Sequence, residues 1–212
     1  MHPDIAEAIH TVVRESGLAP ATALEVGGVT GPDSLLNAPE LRAADRYCLN
    51  LEPMPPAEGI TVVTGSANDM HMFGDGSFDV VLCNATLEHD RHFWLTLAEM
   101  KRVLRPGGLL VVGVPGFVRN APGDESIATS TYRVHYTVDY YRFSKQAVRQ
   151  VFLAGMRQVG VAALLEPPRI IGHGRKPVPR PRPQPSLRKR ARRRVRRAVR
   201  AGLEVTGVRR SP

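Results

Sequence analysis

The stretch ALEVGGVTGPDS, residues 23–34, predicts a buried strand that runs into a glycine turn and then into a helix. Turns of this kind bind nucleotide-type cofactors, because glycine lets the backbone approach a ligand closely. The glycines are Gly27, Gly28 and Gly31, and Val29 stands where the usual fingerprint has its middle glycine. The stretch is therefore either a cofactor site with an altered loop or the remains of such a site.

Strand and helix patterns alternate on both sides of this turn. Apolar runs typical of buried strands are found at residues 22–26, 47–51, 60–64, 78–84 and 109–114, and two late strands follow within 159–172. Helical spacing of apolar residues is found at 4–16, 91–104 and 144–156. This alternation predicts an α/β fold, a doubly wound and mainly parallel seven-stranded sheet with helices on both faces. Ligands bind such sheets at the carboxyl ends of the strands.

The chain divides into two parts of opposite charge. It has 212 residues, of which 42% are hydrophobic, and its net charge is +9. Residues 1–174 hold 14 basic and 19 acidic residues, whereas residues 175–212 hold 15 basic residues and one acidic residue, Glu204. We therefore predict one domain over 1–174, a proline-rich basic linker over 175–185 and an arginine-rich tail over 186–212.

Several features indicate where the protein works. No run of about 18 apolar residues is present, so we expect no membrane span. The first residues lack the basic start and the apolar core of a secretory signal. Cys48 and Cys83 each lie in an apolar strand-like run, where we expect buried and reduced side chains. These features predict a cytoplasmic protein.

The segments around the later strands resemble those of a known family. GDGSFDVVLCNATLEHD, residues 74–90, is followed by RVLRPGGLLVVGVPG, residues 102–116, and by HYTVDYYRFSKQAVRQVF, residues 135–152. Together with the glycine turn, this ordered set resembles the class I S-adenosylmethionine-dependent methyltransferases over roughly residues 23–174, in the subgroup of small-molecule and glycan-modifying enzymes. The resemblance implies a Rossmann-like fold and S-adenosyl-L-methionine as the cofactor.

The resemblance also implies a set of cofactor-binding residues. Gly27 and Gly28 would let the backbone approach the methionine part of the cofactor, and Glu25 would position the loop and the methionine ammonium. An acid normally ends the second strand and holds the ribose hydroxyls, but here Asn50 takes that place, with Glu52 two residues on. The full set is Glu25, Gly27, Gly28, Gly31, Asn50, Glu52, Ala67, Asn68, Asp69 and Asn84.

The resemblance also implies an adenine site just after the third strand. The resemblance implies that Asp69 accepts from the adenine amino group and that the amide of Ala67 or Asn68 serves the ring. Val29 and Asn50 depart from the family pattern. A β-branched residue disfavours positive φ, so the loop must take a different path at Val29. Asn50 offers a hydrogen-bond donor and an acceptor, but no charge.

Two other interpretations of the sequence compete with an active methyltransferase. One is a catalytically inactive binding or scaffold protein that has lost its cofactor and uses its basic tail to engage a membrane or nucleic acid. The other is a nicotinamide dinucleotide site, which needs a helix N-terminus open to a pyrophosphate. Asp33 places a carboxylate at that start and disfavours the dinucleotide.

The candidate catalytic residues are His89 and His135. His89 comes just after the fourth strand, and imidazole is a suitable general base near neutral pH. Capping of the next helix and a bond to Asp90 are the structural alternatives for this residue. We expect Glu88 to anchor the loop on the substrate side. The other candidate substrate residues are Tyr140, Tyr141 and Arg142, and we assign no residue to a metal.

The acceptor is defined mainly by exclusion. No Pro-Pro-aromatic motif follows Asn84, which disfavours the exocyclic amines of bases, and no Pro-Cys pair offers a nucleophile for a pyrimidine carbon. We therefore expect an oxygen acceptor on a small metabolite, a sugar or a lipid-linked glycan.

The basic tail follows a stiff spacer, KPVPRPRPQP at residues 176–185. The apolar residues that recur every four positions in the tail are Leu187, Ala191, Val195, Val199 and Leu203. This pattern agrees with three interpretations: a solvated disordered tail, a helix that forms on an anionic membrane surface, or a contact with nucleic acid. A membrane contact would place the protein at the inner face of the membrane, and nucleic acid is the less favoured partner.

Overall fold

The computed structural model describes residues 2–119, 128–129, 138–165 and 168–179. Apart from Pro179, these residues belong to one compact unit, Met1–Val178. His135, most of the predicted linker and the whole arginine-rich tail lie outside the described residues. The domain boundaries drawn from the sequence therefore stay a prediction.

Seven of the described strands form one sheet, and two more form a separate pair. In chain order the strands are β1 Thr22–Val26, β2 Asp45–Asn50, β3 Ile60–Thr64, β4 Phe78–Asn84, β5 Leu104–Pro115, β6 Val118–Arg119, β7 Ala128–Thr129, β8 Arg157–Leu165 and β9 Pro168–Arg175. The order across the large sheet is β3-β2-β1-β4-β5-β9-β8, and β6 pairs with β7. Strands β1 to β5 are parallel, and β9 and β8 run antiparallel to their neighbours. The predicted fold class is confirmed.

Consecutive residues of the central strands enter two different cores. In β4, Val80 and Leu82 pack in one apolar cluster, whereas Val81 and Cys83 pack in the other. Side chains alternate across a strand, so the two clusters lie on opposite faces of the sheet. Both faces are covered, which explains why β4 is an unbroken apolar run in the sequence. Cys48 and Cys83 are both buried free thiols, as predicted.

The first face is covered by α1, Pro3–Glu15, whose Ile5, Ile9 and Val13 are buried. The prediction of a helix after the glycine turn is wrong, since two short 3₁₀ helices, Leu35–Asn37 and Pro39–Leu41, occupy this position. A proline begins the second of them, and its missing N–H interrupts a regular α-helical ladder.

The second face is covered by α2, Phe93–Val103, and by α3, Lys145–Ala147, which continues into a π-helical turn at Val148–Phe152. Ser144 is the N-cap of α3, because its hydroxyl accepts from the Ala147 amide at 3.1 Å. The regular helix is nevertheless shorter than the predicted 144–156.

Strand β5 begins earlier than predicted. Residues 105–108 lie outside the strand predicted at 109–114, but they already belong to β5. The Gly107 amide donates to the Lys176 carbonyl and the Lys176 amide donates to the Gly108 carbonyl, so pairing continues past the end of β9. Among the described residues, no helix is long and apolar enough to cross a membrane.

Candidate functional site

The sheet order reverses beside β1, which pairs with β2 on one side and with β4 on the other. Such a switch point opens a crevice at the carboxyl ends of the strands. A cleft of about 550 Å³ lies at this edge of the sheet. Its lining residues are Gly27, Leu49, Asn50, Leu51, Glu52, Gly65, Ser66, Ala67, Asn68, Ala85, Thr86, His89, Asp90, Arg91 and Tyr140.

The structure brings part of the predicted set together in this cleft. The predicted residues that line it are Gly27, Asn50, Glu52, Ala67, Asn68, His89 and Tyr140. The predicted residues outside the lining are Glu25, Gly28, Gly31, Asp69, Asn84, Glu88, Tyr141 and Arg142. The side chain of Asp69 is 73% exposed and lies 3.4 Å from the His71 ring. Its role at the adenine ring stays a prediction.

Two glycines of the turn, Gly27 and Gly28, have no room for a side chain. Gly27 has φ +67°, and a Cβ there would lie 2.2 Å from the Thr86 hydroxyl oxygen. A Cβ at Gly28 would lie 2.6 Å from Cγ of Glu25. Val29 is not among the described non-glycine residues with positive φ. The altered path is therefore carried by Gly27 and Gly31, and Val29 keeps an ordinary backbone conformation. The turn thus fits a cofactor whose atoms approach the backbone closely.

Asn50 holds the turn in this path. Its Nδ2 donates to the Gly28 carbonyl at 2.7 Å, and its Oδ1 accepts from the Glu52 amide at 3.3 Å. An aspartate in this position has no hydrogen to give, so its oxygen would face the Gly28 carbonyl oxygen directly. The two departures from the family pattern are therefore linked, because the altered turn presents a carbonyl that an amide can satisfy. Glu52 is the carboxylate that lines this part of the cleft.

Replacing Asn50 by aspartate should weaken binding of S-adenosylhomocysteine, even though it restores the acid typical of the family. Loss of the donor and the new repulsion should lower the affinity roughly tenfold, as removal of one buried partner does elsewhere. Calorimetry measures this affinity. Asn37→Asp is the matched control, since Asn37 makes the same kind of bond to the Gly31 carbonyl at 2.8 Å but at an exposed position. Equal or tighter binding by Asn50→Asp would show that Asn50 does not hold the turn.

Glu25 lies behind the turn. Its carboxylate accepts from the Ser34 hydroxyl at 2.7 Å and from the Leu35 amide at 3.1 Å, and the residue is 4% exposed. Burial raises the pKa of Glu25 to about 7, and the hydrogen bonds from Ser34 and Leu35 oppose this rise. The contacts suit the predicted positioning of the loop. Contact with a methionine ammonium stays a prediction.

The sequence did not single out Asp90 as a cleft residue. Its carboxylate accepts from Asn68 Nδ2 and from the Thr96 hydroxyl, both at 2.7 Å, and from the His92 amide at 2.8 Å. This network fixes the loop after β3 against the start of α2. The Asn68 amide, predicted to serve the adenine ring, donates to the Ser66 hydroxyl at 3.1 Å. The sequence shows a carboxylate after β4, but it does not show that Asp90 bonds to Asn68, 22 residues earlier.

Ala85 is a second residue that the sequence did not single out. It lines the cleft with φ +54°, a backbone conformation that residues with a side chain rarely adopt. Its amide donates to the Gly113 carbonyl at 3.0 Å, which holds the turn after β4 in this shape. Backbone strain of this kind concentrates at functional sites.

His89 is anchored to the described segment that begins at Val138. Its Nδ1 lies 2.7 Å from the Val138 carbonyl oxygen. A carbonyl only accepts, so Nδ1 carries the hydrogen and the neutral ring has its lone pair on Nε2. Neither structural alternative for His89 matches this contact. The Tyr140 amide donates to the Glu88 carbonyl at 2.7 Å, which fixes the same segment a second time.

The remaining substrate candidates are held by protein contacts. Arg142 forms a two-point ion pair with Asp139, with bonds of 2.6 and 2.8 Å, and its side chain is 14% exposed. Glu88 pairs with Arg169 at 3.3 Å, and burial raises the pKa of Glu88 although Arg169 opposes this. The Tyr141 hydroxyl donates to the Arg91 carbonyl at 3.0 Å. These contacts agree with the anchoring role that we expected of Glu88.

Comparison with known proteins bears on the identity of the domain. Residues 25–112 match the model of a family described as "Methyltransferase domain". The fold is similar to that of a 1,6-didemethyltoxoflavin-N1-methyltransferase from Burkholderia thailandensis, solved with 1,6-didemethyltoxoflavin and S-adenosylhomocysteine. The identity is 20% over 83% of this chain and 78% of that chain, and the TM-score is 0.59. No protein of curated function matches the sequence.

Two further solved structures have similar folds. One is phosphoethanolamine N-methyltransferase 2 of Haemonchus contortus, in complex with phosphomonomethylethanolamine and S-adenosylhomocysteine, at 12% identity over 83% of this chain and 53% of that chain, TM-score 0.58. The other is the [4+2]-cyclase SpnF, at 15% identity over 82% of each chain, TM-score 0.58. At these identities the likeness shows a shared fold only. SpnF is named as a cyclase, so proteins with this fold have different activities.

Proposed function

Because the chain belongs to the class I S-adenosylmethionine-dependent methyltransferases, we propose that it methylates an oxygen of an acceptor bound in the cleft beside His89. The acceptor is a small molecule, a sugar or a lipid-linked glycan. S-adenosyl-L-methionine, the cofactor of this family, supplies an electrophilic methyl group when bound. The turn at Gly27, Asn50 and Glu52 would hold it, since these residues line the cleft on the side of β1 and β2.

The contact between His89 and Val138 carries this proposal. With Nδ1 donating to a carbonyl, Nε2 is free to take the proton of an acceptor hydroxyl as the oxygen gains the methyl group. The carbonyl dipole then stabilises the positive charge that appears on the ring. His89 keeps a fixed orientation because Val138 belongs to the segment that Glu88 also binds. Positioning of this kind supplies much of the rate of a displacement reaction.

The oxygen acceptor is supported by His89 rather than by the solved relatives. The names of the two methyltransferases above specify transfer to nitrogen. A neutral amine attacks through its lone pair and needs no base in the transfer step, whereas a hydroxyl must lose its proton and gains more from a positioned base. A histidine with its lone pair in a cleft therefore favours a hydroxyl.

Calorimetry with S-adenosylhomocysteine tests the proposal at its base. We expect saturable binding at a ratio of one per chain, and we expect Gly27→Val to abolish it, because the side chain would overlap Thr86. Release of S-adenosylhomocysteine in the presence of hydroxylated acceptors then tests the transfer. Absence of binding at near-millimolar ligand would favour the alternative, a non-catalytic binding or scaffold protein.

We also propose that the arginine-rich tail attaches the enzyme to an anionic membrane surface. The apolar edge that includes Val195 and Val199 would enter the interface, and each arginine would contribute about 1 kcal/mol near the lipid surface. The linker over 175–185 would let the domain stand off while its cleft reaches a lipid-linked acceptor.

Replacing both Val195 and Val199 by serine should reduce binding to anionic vesicles and should suppress the helix signal that vesicles induce. Membrane insertion depends on the apolar edge, whereas a purely electrostatic contact with nucleic acid does not. Flotation and circular dichroism measure the two effects, and an RNA-binding assay at physiological salt serves as the comparison. Vesicle binding by the variant that equals that of the parent, or far tighter binding of RNA than of lipid by the parent, would contradict the membrane contact.

A further inference from the structure

Arg91 is a cation that lines the cleft next to the proposed base. It lies two residues after His89, at the start of the segment that leads into α2. Its guanidinium carbon is 5.5 Å from the centre of the Tyr140 ring, a distance at which a cation is attracted to an aromatic face. Its own carbonyl accepts from the Tyr141 hydroxyl, so the backbone at Arg91 is fixed as well.

The charge of Arg91 is not neutralised by the residues that the structure describes. Among the described residues, Arg142 and Arg169 also lie near this end of the sheet, and they pair with the carboxylates of Asp139 and Glu88 respectively. Within the described part of the chain, Arg91 has no such ion pair. A guanidinium that rests on an aromatic ring keeps its N–H groups available at its edges.

Two described carboxylates line the cleft, those of Asp90 and Glu52, and neither forms an ion pair with Arg91. Asp90 directs its oxygens to Asn68, Thr96 and the His92 amide. Glu52 follows β2, and β1 separates that strand from β4, after which Arg91 comes. Two strand spacings correspond to roughly 9–10 Å. Arg91 therefore follows a strand that lies two positions across the sheet from the strand that Glu52 follows.

We propose that Arg91 binds an anionic group of the acceptor, a carboxylate or a phosphate, and that Tyr140 holds the guanidinium flat for this contact. The acceptor is then a molecule with a hydroxyl at His89 and an anion at Arg91. Bidentate hydrogen bonds from an arginine to a carboxylate or phosphate give both strength and orientation. This inference rests on the proposed function, because it assigns the acceptor side of the same cleft.

The test uses the full-length chain saturated with S-adenosylhomocysteine and three small probes of similar size. Benzoate represents a carboxylate source, phenyl phosphate represents a phosphate source, and benzyl alcohol is the uncharged comparison. The variants are Arg91→Met, which removes the charge, and Arg91→Lys, which keeps the charge without the planar fork. Arg149→Met is the matched control, because Arg149 is exposed and does not line the cleft. The basic tail is present in every variant, so differences between variants report on the replaced residue.

We expect the parent to bind at least one anionic probe about tenfold more tightly than benzyl alcohol, as a charge-assisted contact would give. Arg91→Met should lose this preference, Arg91→Lys should keep part of it, and Arg149→Met should keep all of it. The tighter of the two anions identifies the class of the acceptor group. Equal affinity for all three probes, or an unchanged preference in Arg91→Met, would overturn the inference. Failure of S-adenosylhomocysteine to bind would instead overturn the proposed function, and the first titration shows this separately.

Discussion

Replacing His89 by alanine should lower turnover by about a hundredfold or more while leaving the affinity for S-adenosylhomocysteine unchanged. A general base contributes a factor of this size, and His89 follows β4 whereas the glycine turn follows β1, so we expect the contacts to the cofactor to be kept. The measurement is the rate of S-adenosylhomocysteine release with an accepted substrate, together with calorimetry of product binding.

A second variant separates proton transfer from anchoring. Asparagine at position 89 can still donate an amide hydrogen to the Val138 carbonyl, but it offers no base. His89→Asn should therefore keep the thermal stability of the parent and lose turnover as the alanine variant does. His92→Ala is the matched control, since His92 packs its ring against Trp94 outside the cleft lining. Full turnover in either His89 variant would show that this histidine has a structural role.

The central strands could be predicted from the sequence because they are buried on both faces. The predicted limits of β1, β3 and β4 agree with the structure. Errors occurred where tertiary contacts override local pattern. The 105–108 segment has the residues of a turn, but pairing beyond the end of β9 makes it a strand. Such pairing joins residues nearly 70 positions apart, and no local signal reports it.

The candidate site was predictable in position but less so in its individual contacts. The rule that ligands bind at the carboxyl ends of strands placed Asn50, Asn68 and His89 correctly at the cleft. It did not distinguish Arg142, which forms an ion pair with Asp139, from Arg91, which forms no ion pair with any described residue. That distinction depends on which carboxylate lies within reach of each guanidinium, and only the folded chain determines it.

Glu25 should make the stability of the domain fall as the pH rises through the acidic and neutral range. The pKa of its carboxyl is raised from 4.5 to about 7, mainly by burial. The folded state therefore holds the proton more tightly than the unfolded chain does. The stabilisation is fully present below pH 4.5 and is lost as the pH rises through the folded value near 7. A shift of this size corresponds to on the order of 3 kcal/mol.

Urea unfolding of the parent and of Glu25→Gln over this pH range measures the effect. The glutamine side chain does not titrate. The free energy of unfolding of the variant minus that of the parent should therefore rise by on the order of 3 kcal/mol from acidic to mildly alkaline pH. Other titrating groups contribute equally to both proteins and cancel in the difference. Glu58→Gln, which removes an exposed carboxylate, is the matched control. A difference that stays flat for Glu25→Gln would show that the carboxyl is solvated in solution.

Ionisation of Glu25 should also affect cofactor binding at the glycine turn, because the Glu25 side chain packs directly against Gly28. Cys48 also lies against this glycine, but burial and the charge of Glu25 raise the pKa of its thiol to about 11, so it stays neutral throughout. Of the two side chains that pack against Gly28, Glu25 is therefore the one that changes charge near neutral pH. Once ionised, it accepts stronger hydrogen bonds from Ser34 and Leu35, which tightens the turn. The affinity for S-adenosylhomocysteine should therefore rise with pH in the parent over the range in which its stability falls, and Glu25→Gln should remove that rise.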